Sequence, residues 1–339
     1  MNGIVIDIKG LVSGYRNGVS STYRYPAFNA VALRGELIAL IGRNGVGKST
    51  LLRTLARLQP SLDGNVFVKG VNFQQISGSE FAQLVSFIPS EPAHASHTTV
   101  YEFVSMARYP YHGWFETLND NDYKLVDDAI SAVGMQNFRD RFIDNLSDGE
   151  RQRVMIAFAI AQDTPIIMMD EPTAFLDLPN KFEVMRLLRE QAQKGKTIII
   201  STHDLQTAFG LVDTIWLMLA DGVRVGAPED IVLSGNLNRL MDDTPVLFDL
   251  KSGQFVYKHQ TRLVACVLGG SPNIKKWTSH ALRRMGYEVE FSPIDDASTY
   301  VQIQEHEGKV QWILGRDDRN PTFDSIRNLC IYIKGTTLL

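Results

Sequence analysis

The stretch Gly42-Arg43-Asn44-Gly45-Val46-Gly47-Lys48-Ser49-Thr50 constrains this chain more than any other. Before it, Leu37-Ile38-Ala39-Leu40-Ile41 reads as a buried strand; after it, Leu51, Leu52, Leu55 and Leu58 fall at helical spacing. Strand, glycine-rich turn and helix in that order make a cradle for an anion. Glycines let the backbone turn tightly and aim several N–H groups at one point. The helix start adds unpaired N–H groups and its dipole. Lys48 offers a positive charge to terminal phosphates and Ser49 a hydroxyl to Mg²⁺. A glycine-rich turn that merely precedes a lysine would lack this strand and helix on either side.

Two further strands supply matching chemistry. Pro165-Ile166-Ile167-Met168-Met169-Asp170-Glu171 is continuously apolar until its two acids. Such a strand, buried on both faces, belongs to a parallel sheet with helices on either side. Asp170 falls where a second Mg²⁺-side contact is expected, and Glu171 where a carboxylate orients attacking water. Thr197 to Ser201 is a β-branched strand with His203 just beyond it. A lone histidine there is usually a structural cap. In this sheet it shares the ligand-bearing edge with Lys48, Asp170 and Glu171, which favours sensing the terminal phosphate or holding water. Leu146-Ser147-Asp148-Gly149-Glu150 opens a helix through Val154 to Ile160, with Ser147 and Glu150 spaced as a capping box. The same start leaves Ser147 and Gly149 available to an anion.

The remainder fills in the architecture. Residues 1 to 14, with apolar positions from Ile4 to Val12, read as an early strand, Arg16 to Tyr25 as a loop, Asn65 to Val71 as a short strand, and Leu84 to Pro89 as a strand ended by Pro89 and Pro92. Tyr15 precedes the loop and is a candidate to stack on adenine, with Tyr23 and Tyr25 as rivals. Residues 99 to 144 are mostly helical; Tyr123, Val126, Ile130 and Val133 form one apolar stripe, and Gly134 ends it. The aromatic run Tyr109 to Phe115 packs a satellite core or docks a partner. Ile215 to Ala220 and Val223 to Val225 make an edge hairpin around Asp221-Gly222. With 339 residues, 44% of them hydrophobic, the chain has enough apolar side chains for a core and an appendage. The 34 basic and 38 acidic residues leave a net charge of -4 and no basic block, which argues against nucleic acid as a partner. Cys266 and Cys330 lack metal-ligand spacing, fitting a reducing compartment. Neither a signal peptide nor a membrane-length apolar run is visible, so another subunit must supply any membrane spans.

Taken together these motifs resemble the nucleotide-binding subunit of an ABC transporter, over residues 1–258. Lys48 and Ser49 match the Walker A loop, Asp170 the end of Walker B and Glu171 the adjacent catalytic carboxylate. Leu146 to Glu150 matches the signature loop, Leu176-Asp177 the loop joining the subunits, and His203 the switch histidine. Tyr15 matches the adenine-stacking aromatic, though its gap to Gly42 is longer than the family's. The resemblance implies a P-loop NTPase fold of the α/β class, with a parallel core, antiparallel edge strands and a helical subdomain over residues 91–145 that docks on membrane permease subunits. It implies ATP and Mg²⁺ bound between two copies arranged head to tail, with a substrate-binding protein as an indirect partner. It places the protein peripherally on the cytoplasmic face of the inner membrane. Arg108-Tyr109-Pro110 after Thr99-Val100, with Asn236-Leu237 and the Phe255 region, resembles importers of iron–siderophore complexes, haem and cobalamin, iron chelates first.

Two departures stand out. Ser90 follows Ile88-Pro89 where the family's coupling loop has glutamine, so a longer reach passes through water, a backbone shift or Glu91. The signature reads Ser-Asp-Gly-Glu, and Asp148 is expected to point outward because its charge would repel phosphate. A non-transport ATPase would usually carry two cassettes or a coiled-coil insertion; a binder with a dead site would not keep Lys48, Asp170 and Glu171. Beyond residue 259 the resemblance runs out. There a strand from Arg262, a helix from Ile274, a strand from Tyr287, a hairpin around Glu305 to Gly308 and a final helix or strand over Thr322 to Tyr332 predict a small α+β domain of about 80 residues. It regulates, binds a ligand, secures a dimer or simply packs; Asp295-Asp296 and Asp317-Asp318 read as solvated turns.

Overall fold

A computed structural model describes residues 3–17, 21–91, 97–113, 116–174, 176–250, 253–257, 263–294, 297–306, 308–315 and 320–337. Pro92, Trp114, Phe115, Arg262, Asp295, Asp296, Glu307, Asp317 and Asp318 lie outside them. The chain divides into two compact units, Met1–Asp242 and Asp243–Leu339.

The first unit begins with β1 (Ile4–Val12), the short pair β2 (Gly14–Asn17) and β3 (Ser21–Arg24), and β4 (Phe28–Leu33). The pair corrects the loop expected over Arg16 to Tyr25: Tyr15 sits opposite Tyr23 in an antiparallel ribbon. Its polar composition hid it, because β-propensity reports fit to a half-buried surface rather than backbone preference. β4 alternates buried and exposed residues and pairs antiparallel with β1. β5 (Leu37–Gly42) is buried at every position and feeds α1 (Lys48–Leu55). Each buried Leu or Ile of β5 contributes roughly 1.5–3 kcal/mol, which pins the strand at the centre of the sheet.

Next come β6 (Asp63–Val68), β7 (Val71–Asn72), α2 (Gly78–Leu84) and β8 (Val85–Ile88). The helical region holds α3 (Val100–Ser105), α4 (Asp120–Ala132) and α5 (Asp148–Ala161). Then follow β9 (Ile166–Asp170), α6 (Leu178–Gln193), β10 (Thr197–Thr202), α7 (Leu205–Leu211), β11 (Thr214–Leu219), β12 (Gly222–Gly226) and α8 (Pro228–Leu233). The principal sheet runs β12-β11-β5-β10-β9-β8, parallel except for the β11–β12 hairpin, and a second sheet runs β4-β1-β6-β7. Parallel pairing aligns the carboxyl ends of β5, β9 and β10, the edge where open α/β sheets bind ligands.

The helical region is locked by one buried hub. Arg108, buried in the turn after α3, donates through Nε to Asp122 Oδ1 at 2.9 Å and through a terminal nitrogen to the carbonyls of Ala161 and Gln162 at 2.9 and 3.2 Å. Burial pushes the Asp122 carboxyl up, but the Asn119 N–H, Arg108 and His112 together hold it below the usual range. His112 Nε2 lies 2.7 Å from Asp122 Oδ2. Breaking a buried pair strands a charge. Asp122→Ala is therefore expected to cost about 3 kcal/mol and to speed backbone hydrogen exchange across α3, α4 and the end of α5. Unchanged exchange there would remove Asp122 from this role. Of the aromatic run, Tyr111 packs with its ring 4.1 Å from the Arg108 guanidinium, while Tyr109 is largely exposed.

The second unit has a hairpin, β13 (Val246–Asp249) and β14 (Gln254–Tyr257), and the elements β15 (Leu263–Gly269), α9 (Pro272–Arg284), β16 (Tyr287–Glu290), β17 (Thr299–His306), β18 (Lys309–Leu314), β19 (Thr322–Phe323) and α10 (Ile326–Thr337). Its sheet order is β16-β15-β17-β18-β19, with β15 parallel to both neighbours. The unit has its own core around Val267, Leu282, Val301 and Leu329. The last segment resolves into a two-residue strand and then a helix.

Candidate functional site

Gly42 ends β5 with no room for a side chain: a Cβ there would come within 2.8 Å of Val46 Cγ1 and 2.9 Å of the Met218 carbonyl oxygen. Gly45 and Gly47 sit at φ of 81° and 108°, backbone that only glycine adopts cheaply. Gly47 caps α1 without any side-chain bond to the helix's opening N–H groups. The helix start therefore presents backbone donors that no capping side chain occupies, which fits phosphate. Asn44 and Ser49 are exposed and Thr50 half-buried on its rim. Lys48 is 7% exposed, and its Nζ donates back to the Gly42 carbonyl at 3.0 Å. Burial lowers its pKa, partly offset by the negative charges of Glu171 and Asp170. An anion of several charges would restore what burial removes.

The acids are organised by a residue that the sequence reading left inside a strand. Ser201 on β10 lies in register with Asp170 on β9. Its hydroxyl donates to Asp170 Oδ1 at 2.6 Å and accepts the Glu171 N–H at 2.9 Å. The available signal was a polar residue at the carboxyl end of an otherwise apolar strand. Glu171 has a φ of 51°, a left-handed conformation costing a non-glycine residue on the order of 1–3 kcal/mol. The Ser201 bond holds that turn. Glu171 Oε2 meets His203 Nδ1 at 2.8 Å. Its side chain is 18% exposed against 61% for the histidine, so the carboxylate is sheltered and the ring faces solvent. Asp170 is 1% exposed at the end of β9.

The other predicted residues occupy a different segment. Ser147 caps α5 in a full capping box: its Oγ accepts the Glu150 N–H at 3.3 Å and donates to Glu150 Oε2 at 2.8 Å. Those bonds, the Ser147 N–H foremost, hold the Glu150 carboxyl below its ordinary range. Asp148 is 69% exposed at 3.6 Å from Arg151. Gly149 faces Leu176 and Asn180, and a Cβ there would make ordinary contact at 3.5 Å. Asp177 caps α6 by accepting the Asn180 N–H at 3.1 Å. Tyr15 is 46% exposed on β2. Tyr25 is in the core with its hydroxyl donating to the Leu219 carbonyl, while the Tyr23 side chain lies outside the described residues. Ser90 is half-buried just past β8. Among the described residues no cluster of three or more His, Cys, Asp or Glu could hold a metal by itself. The hydroxyl of Ser49 and the carboxylate of Asp170 are the hard oxygen donors Mg²⁺ takes when phosphates complete its shell.

Two known families match the chain. The ABC transporter family matches residues 28–174, and the iron ABC transporter C-terminal domain matches residues 266–334. The achromobactin transport ATP-binding protein of Dickeya dadantii is 42% identical over 201 residues, 59% of this chain and 75% of that protein. The petrobactin import ATP-binding protein FpuD of Bacillus anthracis is 37% identical over 59% of this chain and 74% of its own length. A solved structure described as a metal-chelate type ABC transporter in an inward-facing conformation superposes with a TM-score of 0.62 at 26% identity, covering 70% of this chain and 89% of that one. The second match reaches where the sequence resemblance had run out. The chain belongs to the ABC transporter family, as the ATP-binding and ATP-hydrolysing subunit of a bacterial importer.

Proposed function

We propose that this subunit drives uptake of an iron chelate, hydrolysing Mg-ATP at an interface between two head-to-tail copies beneath a membrane permease. The observation that carries the chemistry is the shared edge of β5, β9 and β10, where Lys48, Asp170, Glu171 and His203 gather. The loop N–H groups and Lys48 hold the phosphates of the substrate. Ser49 and Asp170 would hold Mg²⁺, which neutralises phosphate charge when bound. Glu171 orients water and takes up its proton, and the Nδ1 contact of His203 fixes which way that carboxylate faces. Ser147 and Gly149 stand at the start of α5, and in a head-to-tail pair they close over the partner copy's terminal phosphate. Tyr15 stacks on the adenine, and Asp177 lies on the joining loop.

Among the described residues no helix is long and apolar enough to cross a membrane, so the permease supplies the spans. The helical region docks on it, at the cytoplasmic face of the inner membrane, and a substrate-binding protein delivers the cargo. Iron is favoured over haem or cobalamin because the C-terminal match is to an iron ABC transporter domain. The test is purification from native membranes with the permease subunits, followed by reconstitution in liposomes. A ferric chelate and its binding protein should stimulate ATP hydrolysis severalfold. Stimulation by cobalamin or haem alone would overturn the cargo assignment, and no co-purifying membrane subunit would overturn the transport role.

A further inference from the structure

The second unit carries a cavity that the nucleotide chemistry does not use. It measures about 1210 Å³ and lies between the β13–β14 hairpin and the α9–β16 side of the sheet. Lys275, Ser279 and Arg283 line it at four-residue steps, and Lys276, His280 and Arg284 run beside them. Those are two neighbouring rows on one face of α9. Phe255 and Tyr257 come from β14, Tyr287 and Phe291 from the opposite wall. Asp249, Glu288 and Glu290 also reach the cavity. Asp249 stands 3.8 Å from Arg283; among the described residues, neither Lys275 nor Lys276 has a carboxylate at ion-pair distance.

Lys275, Lys276, Arg283 and Arg284 outnumber the three carboxylates that line the same cavity. Here they are gathered at a concave surface walled by aromatic rings. An anion would pair with the two lysines, and the rings would bury its apolar part. Inorganic phosphate would leave most of the space empty, since pockets for drug-sized ligands run about 300–1,000 Å³. We propose that this cavity binds a small organic anion with planar or aromatic groups, held by Lys275 and Lys276 and stacked against Phe255 and Phe291.

The test uses the full-length chain with two dyes of similar shape, anionic 8-anilinonaphthalene-1-sulfonate and neutral N-phenyl-1-naphthylamine. The double variant K275Q/K276Q should weaken the anionic dye about tenfold, as expected for two partly exposed charge contacts, and leave the neutral dye unchanged. Phe255→Ala should weaken both. Saturating Mg-ATP should displace neither. Equal affinity of the anionic dye for parent and double variant, a parallel loss of both dyes in that variant, indifference to Phe255→Ala, or displacement by Mg-ATP would each overturn the proposal.

Discussion

Glu171→Gln should reduce ATP turnover by at least a hundredfold while ATP affinity stays within a few-fold of the parent. General-base assistance contributes roughly 10²–10⁴ in rate, and the amide keeps the shape while losing the proton acceptor. The backbone at this position should survive the change, since the Glu171 N–H still donates to Ser201 and the left-handed turn depends on that bond. The histidine contact also survives as a hydrogen bond, because the glutamine oxygen or nitrogen can meet Nδ1. Binding and chemistry therefore separate. A filter-binding titration alongside a phosphate-release assay reads both, and normal turnover would take the proton-acceptor role away from Glu171.

Lys48→Ala should act in the opposite way and abolish high-affinity ATP binding, with a loss of at least thirtyfold. Removing one partner of a buried charge pair costs about 2–5 kcal/mol or more, and the triphosphate would face the loop's dipoles without the ammonium. Burial already depresses this lysine's pKa, against the pull of Glu171 and Asp170. Phosphate binding raises the pKa again, so the complex holds a proton that the free protein gives up. The sign follows: affinity is full below the free protein's lowered pKa and declines as pH rises through it, short of the ordinary lysine range. Calorimetry in two buffers of different ionisation heat measures the proton taken up at alkaline pH. Proton release on binding would contradict the placement of Lys48.

Much of this was legible from local pattern. The buried run of β5, its glycines and the leucines of α1 state the anion cradle outright, because each step rests on backbone geometry. The capping box at Ser147 was equally plain, since three-residue spacing is a property of one helix turn. What escaped depends on contacts between distant strands. Ser201 looked like the tail of a strand, and only its register with Asp170 shows that it holds both acids. The ribbon that begins at Gly14 was masked by polar residues whose pairing partners lie on the other strand. Arg108 drew notice as part of a short string, whereas its place as a buried hub needed Asp122 and the end of α5 beside it.

The single hydroxyl of Ser201 has a mechanical corollary. One oxygen grips the Asp170 carboxylate through its proton and the Glu171 backbone N–H through its lone pair, so one acid's side chain and the next one's main chain ride on the same peg. Any small slide of β10 against β9 shifts them in step. The strand that leads into His203 thus sets the Asp170 side chain against the Glu171 main chain, before any partner copy arrives.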